Sequence, residues 1–540
     1  MGTLLLALIA SAAATGLSSD RAHFALSPSV DKAPIPARFV GFSIEVSSTP
    51  AVFLLGGLGG TPRTSFATLM NILRAASGSV RGPNVRVGGN SADDSVWLPS
   101  GDLPPNSTYR ITQADLDAYR LAMPAWNGSL QIDTTILYAR DPSFAVAHIA
   151  AARKTLGIMD VDEGGLVEGI EVGAFELRPW ASLCTQHSLT ATHHHMPFPG
   201  NEPDLFAEKG KRPSTYGYTQ YKEDYAVYMA AITASGELAG VTPRIQGAAW
   251  CSPRWNSSWL DFTRTFAANL SSLSFHTYAQ TACNGNTQSS VPGLLSNNIT
   301  AKFAAEVAAP LAAARAFGIP FKIGEGNSVS CGGRAGVSDV FASALWAVDT
   351  LFTAASLGLV RFNFHGMPEG PYSAIAYEDK SSNVPNVRPL FYGLLAFATA
   401  SGSTGDSAHM LRVTTVTTTN EFLRCWSVWD AAANATRIVV LNKDPHAAVG
   451  DSATVTLSTQ GSGALLSPQG KLVRLLSGAK GMLAQWSDDI SWQGQTFSAS
   501  EDGTPSGSPT SEAVAASAEG DFVFSVPTAS LAMLTLSMAF

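Results

Sequence analysis

From residue 38 onward, short runs of β-branched and aromatic residues alternate with stretches rich in Ala and Leu at helical spacing. The runs that read as strands are "RFVGFSIEV" (38–46), "NVRVGGN" (84–90), "LQIDTTILYA" (130–139), "LVEGIEVG" (166–173), "RIQGAAWC" (244–251), "LSSLSFHTYA" (270–279), "PFKIGEGN" (320–327) and "LVRFNFHGM" (359–367). Helical stretches such as "SFATLMNILRAASG" and "AKFAAEVAAPLAAARAFG" lie between them, and several end in Gly, which caps a helix in a left-handed turn. Eight strands alternating with helices predict an α/β fold, a (β/α)8 TIM barrel over residues 38–374. A doubly wound sheet is the alternative, weakened because no G-x-G-x-x-G follows a strand. Beyond residue 375 the pattern changes to strands of strict alternation, such as "TRIVVLNKD", "SATVTLST" and "DFVFSV". These predict a C-terminal antiparallel β-sandwich domain over 375–540, with "ASLAMLTLSMAF" as its last strand. The segment 15–37 has strand character at "AHFALSP" and is expected to pair into that domain.

The start of the chain, "MGTLLLALIASAAATG", is apolar for about a dozen residues and ends in an A-x-A pattern, so residues 1–14 read as a signal peptide. Six N-x-S/T sequons, at Asn106, Asn127, Asn256, Asn269, Asn298 and Asn434, agree with secretion to the extracellular space and with N-linked glycans. Five Cys fit one or two disulfides with a thiol left over. The net charge of −8 without a run of Lys or Arg argues against a nucleic-acid partner, and no stretch reads as a membrane span.

In a barrel of this kind the C-terminal strand ends face the pocket. Here they are polar: "RVGGNSADD", "SFHTY", "KIGEGNS" and "FNFHG". Two carboxylates stand out, Glu202 in the "NEPD" that belongs with strand four and Glu325 at the end of strand seven. Two glutamates converging on a barrel mouth suit glycoside hydrolysis, in which one carboxyl protonates the leaving oxygen while the other attacks the sugar or activates water. Asn201 would hydrogen-bond a sugar 2-OH, and Tyr278 would hold Glu325 ionised by donating its phenol proton. Asp93–Asp94 reads equally well as a turn or helix cap, and His276 and His365 read as hydrogen-bonded structural histidines.

The motifs "RVGGNSADDSVW", "GNEPDLF", "SFHTY", "IGEGNSVSCGG" and "VRFNFHG" together resemble glycoside hydrolase family 79, the β-glucuronidase and heparanase family. The resemblance runs from about residue 38 to the C-terminus. It implies a (β/α)8 barrel with a β-sandwich and retaining stereochemistry, with Glu202 as acid/base and Glu325 as nucleophile. It places Asn201, Asn90, Asp93 and Tyr278 around the sugar. By the same resemblance Tyr372 and the amides of Gly332 and Gly333 would grip a uronate carboxylate, although Val329 stands where some relatives have a tyrosine. The implied partner is a glucuronate-containing glycan, with no cofactor and no metal. An endo-acting, heparanase-like enzyme is the second reading, disfavoured by the scattered basic residues. A non-catalytic carbohydrate-binding protein is the third.

One segment breaks the pattern. Residues 174–200 separate "EVG" from "NEPD", where relatives have no spacer, and they carry four of the ten His and one of the five Cys. Their removal leaves "GIEVGNEPDLF" and an even number of Cys. They therefore read as retained intron, with a lid insertion or a histidine metal site as rivals. A run of three His does not easily aim all its imidazoles at one ion, and no carboxylate or further Cys stands at ligand spacing.

Overall fold

Polar residues at alternate positions of short, otherwise apolar strands shape the centre of this molecule. The computed structural model describes residues 20–105, 107–134, 141–157, 167–172, 201–236, 245–459 and 466–538, without side chains at 28–32 and 167–172. The expected signal segment and the 174–200 insertion lie outside the described residues.

After an N-terminal strand β1 (Arg21–Pro34) come eight strands: β2 (Val40–Glu45), β3 (Asn84–Gly88), β4 (Ser129–Thr134), β5 (Val167–Val172), β6 (Ile245–Trp250), β7 (Leu270–Thr281), β8 (Phe321–Ser330) and β9 (Phe362–His365). Each pairs in parallel with its sequence neighbours, and β9 returns to β2, so the sheet closes into a barrel. A helix follows each strand: α1 (Thr64–Ala76), α2 (Gln113–Ala122), α3 (Ser143–Leu156), α4 (Tyr218–Ala234), α5 (Trp259–Phe266), α6 (Asn297–Ala316), α7 (Ala342–Ser356) and α8 (Pro389–Ser401). The strands sort their side chains by parity. Phe42, Ile44, Val85, Val87, Leu130, Ile132, Leu273, Phe275, Phe321 and Ile323 join the large core shared with the helices. Ser43, Arg86, Gln131, Asp133, Gln246, His276 and Lys322 are buried as well, and they meet across the bore, as where Lys322 Nζ donates to both Gln131 and Gln246. Burial on both faces thus gives one apolar face and one polar one.

α8 lies inside the span expected to hold only strands. It is buried almost all round, because its sequence "PLFYGLLAFATAS" has no polar stripe, and it packs against α7 and α1 in the helical ring. Beyond it, β10 (Ala408–Thr418), β11 (Leu423–Asp430), β12 (Ala435–Asn442), β13 (Ser452–Ser458), β14 (Leu466–Leu476), β15 (Ser491–Trp492), β16 (Glu512–Ala515), β17 (Asp521–Pro527) and β18 (Ser530–Met538) form one sheet with β1. Its order is β15-β14-β18-β12-β11-β10-β1-β13-β17, with β16 on β14.

The sequence pattern predicts an antiparallel β-sandwich. All these strands lie in one hydrogen-bonded path, because β1 pairs antiparallel with β10 and parallel with β13 and so connects the two halves. The sheet bends over itself, and Phe24 of β1, Val455 of β13 and Phe524 of β17 share a core with Ile438 of β12 and Leu534 of β18. Its other face, through Val439, Leu441, Val473 and Met533, continues the barrel core. The polar stretch 498–520 is tied back by paired Thr496–Ser506 backbone bonds, and Gly503 sits against Ser65 and Leu69 of α1. At the joint between the two parts, buried Asp349 of α7 accepts from Trp426 Nε1 (3.0 Å) and pairs with Lys443 (2.8 Å) and Arg424 (3.3 Å).

Candidate active site

Arg86 stands at the centre of the barrel mouth, fully buried on β3. Its Nη1 donates to Glu325 Oε2 (2.7 Å) and Ser43 Oγ (3.0 Å), and its Nη2 donates to Asp133 Oδ2 (2.6 Å) and Asn201 Oδ1 (2.8 Å). A planar guanidinium can serve four acceptors on four strands or loops at once, which an ammonium cannot. The second oxygen of Glu325 accepts from the Tyr278 hydroxyl at 2.8 Å, the contact expected from the sequence. Glu325 reaches the bore because the β7–β8 register shifts between Phe275 and His276, and an irregularity of this kind re-aims a side chain.

Glu202 heads a short helical turn, and its Oε2 accepts from Lys209 Nζ at 3.2 Å while Oε1 lies 3.3 Å from His276 Nδ1. One carboxylate oxygen of Glu202, one of Glu325 and a ring nitrogen of His276 lie within 4.8 Å of one another. Arg86 and Tyr278 already hold both oxygens of Glu325. The arrangement instead suits two carboxylates working on either side of one bond.

The other sequence-selected residues surround this pair. Asn201 Nδ2 donates to Asn90 Oδ1 at 3.3 Å, and the Asn90 amide donates to Glu45 Oε1 at 3.0 Å. Tyr372 is buried with its ring 6.4 Å from that of Tyr278, and Asn327 Nδ2 donates to its carbonyl at 2.8 Å. Gly333 abuts the Tyr372 backbone, and Gly332 and Gly333 both have positive φ (92° and 89°), which suits Gly alone without strain. The loop that carries them is tied by a disulfide between Cys283 and Cys331; Cys251 and Cys425 are free thiols. Asp93 is buried, 3.9 Å from Lys211 Nζ.

The sequence reading missed Arg86, Glu45 and Lys209. For two of them a signal was present: a charged residue inside an otherwise apolar, doubly buried strand, "NVRVG" and "FSIEV", needs a partner in the bore. The glycines of "RVGGN" belong to the same arrangement, since a side chain at Gly88 would overlap Asp133 and one at Gly89 would overlap the Glu45 carboxyl. Lys209 carries no signal. His276 and His365, read as structural histidines, both lie against carboxylates of the site.

The charges here are shifted by their surroundings. Burial alone would raise the Glu202 carboxyl, but Lys209 and His276 outweigh it and hold it below the usual carboxylate range. Burial pushes Asp93 up to about 7, against Lys211, and Asp204 up to about 6, although Asp204 accepts from the Ser252 amide at 2.7 Å. A carboxyl whose folded value lies above its unfolded one stabilises the fold below the unfolded value, and that contribution is lost as pH rises through the folded one. Thermal and denaturant stability should therefore fall as pH rises from about 4 to about 7. Asp204→Asn should remove of the order of 2 kcal/mol of that slope. A slope unchanged in the variant would show that Asp204 does not titrate there.

Residues 425–533 match the family model of the glycosyl hydrolase family 79 C-terminal beta domain. A β-glucuronidase of Aspergillus niger is 26% identical over 388 residues, covering 65% of this chain and 62% of that protein. A β-glucuronidase of Neurospora crassa is 23% identical over 441 residues, covering 76% of this chain and 72% of that protein. Among solved structures, a 4-O-α-L-rhamnosyl-β-D-glucuronidase from Fusarium oxysporum superposes with a TM-score of 0.70 at 17% identity, over 95% of this chain and all of that one. A family 51 arabinofuranosidase from Xanthomonas axonopodis pv. citri has the same fold at a TM-score of 0.63 and 12% identity, over 96% of this chain and all of its own. In fold the chain is similar to barrel glycosidases. Over residues 425–533 it resembles the C-terminal domain of glycoside hydrolase family 79, and the two sequence relatives are β-glucuronidases of fungi.

Proposed function

We propose that the chain is a secreted, retaining exo-β-glucuronidase that releases terminal β-linked glucuronic or 4-O-methylglucuronic acid from glycans. The observation that carries this reading is the approach of the Glu202 and Glu325 oxygens to within 4.8 Å. Retaining enzymes hold their carboxyl groups about 5–5.5 Å apart, whereas inverting ones leave about 6.5–9.5 Å for a water. The named relatives support the substrate class. The finer architectural reading, a (β/α)8 barrel carrying a β-sandwich, belongs to the same proposal.

Glu325, held by Arg86 and Tyr278, attacks the anomeric carbon, and Glu202 gives its proton to the departing oxygen. A covalent glycosyl–Glu325 forms, and Glu202 then takes a proton from the water that cleaves it. Since Lys209 and His276 hold the resting Glu202 ionised, substrate must displace or offset the Lys209 contact before Glu202 can act as an acid. Asn201 is fixed by Arg86 and Asn90, ready for the sugar 2-OH, while Tyr372 with the Gly332–Gly333 turn offers the surface for the uronate carboxylate. The scattered basic residues keep an endo-acting, heparanase-like activity in second place.

Hydrolysis of p-nitrophenyl β-glucuronide tests the reading, and absence of turnover by the wild-type chain would refute it. Glu202→Ala should cost an alkyl or sugar glucuronide about 10²–10⁴-fold and the nitrophenyl glycoside far less, because nitrophenolate leaves without a proton. Equal losses on both substrates would remove Glu202 from the acid/base role.

A further inference from the structure

Among the described residues, His365 is in contact with two carboxylates of the site, and the mechanism above does not use it. It ends β9 and is 6% exposed. Its Nδ1 lies 3.0 Å from Ser43 Oγ and 3.6 Å from Glu325 Oε2, and its Nε2 lies 3.5 Å from Glu45 Oε1. The imidazole therefore stands between the proposed nucleophile on β8 and a second carboxylate on β2, with one nitrogen turned to each. Tyr372 covers the ring in an edge-on contact, centroids 5.9 Å apart.

Glu45 is fixed in place. The amides of Asn90 and Ser91 and the Ser91 hydroxyl donate to it at 3.0, 2.7 and 2.6 Å. These donors favour its ionised form, and together with His365 they outweigh burial and hold it below the ordinary value. A carboxylate on the other side of the same imidazole would repel Glu325 unless a cation stood between them. Arg86 meets Glu325 on Oε2.

We infer that His365 is a positioning residue which, as an imidazolium, bridges Glu45 and Glu325, orients the attacking carboxylate and ties its readiness to acidic pH. The groups facing the ring are Glu325, Glu45, Arg86, Ser43 and Tyr372. Burial disfavours the charged ring and Arg86 opposes it, but the two carboxylates prevail and raise its pKa above the ordinary histidine value. The ring is then charged in mildly acidic solution. As pH rises it loses its proton, and the Glu45–Glu325 pair loses the charge between them. The chain thus carries a pH limit on the nucleophile's side of the site, separate from that set by Glu202.

This inference rests on the proposed function for its catalytic meaning, but its physical core can be read without turnover. In ring-labelled protein, the His365 nitrogen resonances should titrate above the ordinary histidine pKa, and Glu45→Gln should lower that pKa by about one unit. A His365 ring already neutral at pH 5.5, or a titration that Glu45→Gln leaves in place, would overturn the bridge. The kinetic arm uses His365→Asn on p-nitrophenyl β-glucuronide. Expected is a loss of about 10- to 100-fold in kcat/KM at pH 5, with the acid limb of the profile moved to higher pH, because a carboxylate without its neighbouring cation takes up a proton sooner. A uniform loss at all pH values with both limbs in place would reduce His365 to a packing role and overturn the inference. A wild-type chain inactive on the glucuronide but with a charged, Glu45-dependent His365 would count against the proposed function alone.

Discussion

Glu325→Ala should abolish turnover, with kcat/KM down by roughly four orders of magnitude or more, while the barrel stays folded. The residue lies within β8 and faces the polar bore rather than packing the apolar core, and its two contacts are polar, from Arg86 Nη1 and the Tyr278 hydroxyl. Truncation leaves Arg86 with Asp133 as a charge partner at 2.6 Å, which limits the stability lost. Azide, small enough to enter the vacated space, should restore part of the activity on an activated glycoside by replacing the missing nucleophile. Its product should carry inverted stereochemistry, since only one displacement occurs. Substantial activity without azide, or rescue without inversion, would show that Glu325 is not the attacking group.

Arg86→Ala should damage activity and stability together. This side chain holds Glu325, Asn201, Asp133 and Ser43 from one buried position. Its removal leaves two carboxylates buried without that counter-charge, a loss of about 3–5 kcal/mol in comparable sites. It also frees both Asn201 and Glu325, and misplacement of a reacting group by about 1 Å costs roughly a hundredfold. Equilibrium denaturation and kcat/KM on p-nitrophenyl β-glucuronide should therefore both fall sharply, and Arg86→Lys should recover little, because one ammonium cannot reproduce the fork. A variant of wild-type stability with only a weakened KM would mean that Arg86 serves substrate binding and not the framework of the site.

The unequal visibility of these residues in the sequence has physical causes. Glu202, Glu325, Asn201 and Tyr278 stand in polar motifs that the pattern predicts at the C-terminal ends of strands, where a polar residue after an apolar run signals a pocket. Arg86 sits two residues inside β3, and Glu45 closes β2. There a charge is as readily taken for an interruption of the pattern as for a part of the bore, until the strands across the barrel supply its partners. Lys209 lies in a loop of ordinary composition, and its approach to Glu202 at 3.2 Å follows from how that loop folds back. His365 reads as one polar residue at a strand end, and the two carboxylates beside it come from positions 320 and 40 residues away in the chain.

Alternation of apolar and polar positions by itself determined the eight barrel strands to within a few residues, and with them which side chains share a face. The helix α8 escaped it, because an element buried on all sides shows no amphipathic period. The single bent sheet escaped it too, because a periodic strand records that it is half buried but not which strand lies beside it. Closure of the barrel, the fourfold grip of Arg86, the 4.8 Å approach of the two glutamates and the seat of His365 between two carboxylates were decided only by tertiary structure. Local sequence sets which way a side chain points along its strand. The distance between groups on different strands depends on the register, tilt and closure of the whole sheet, which no single segment encodes.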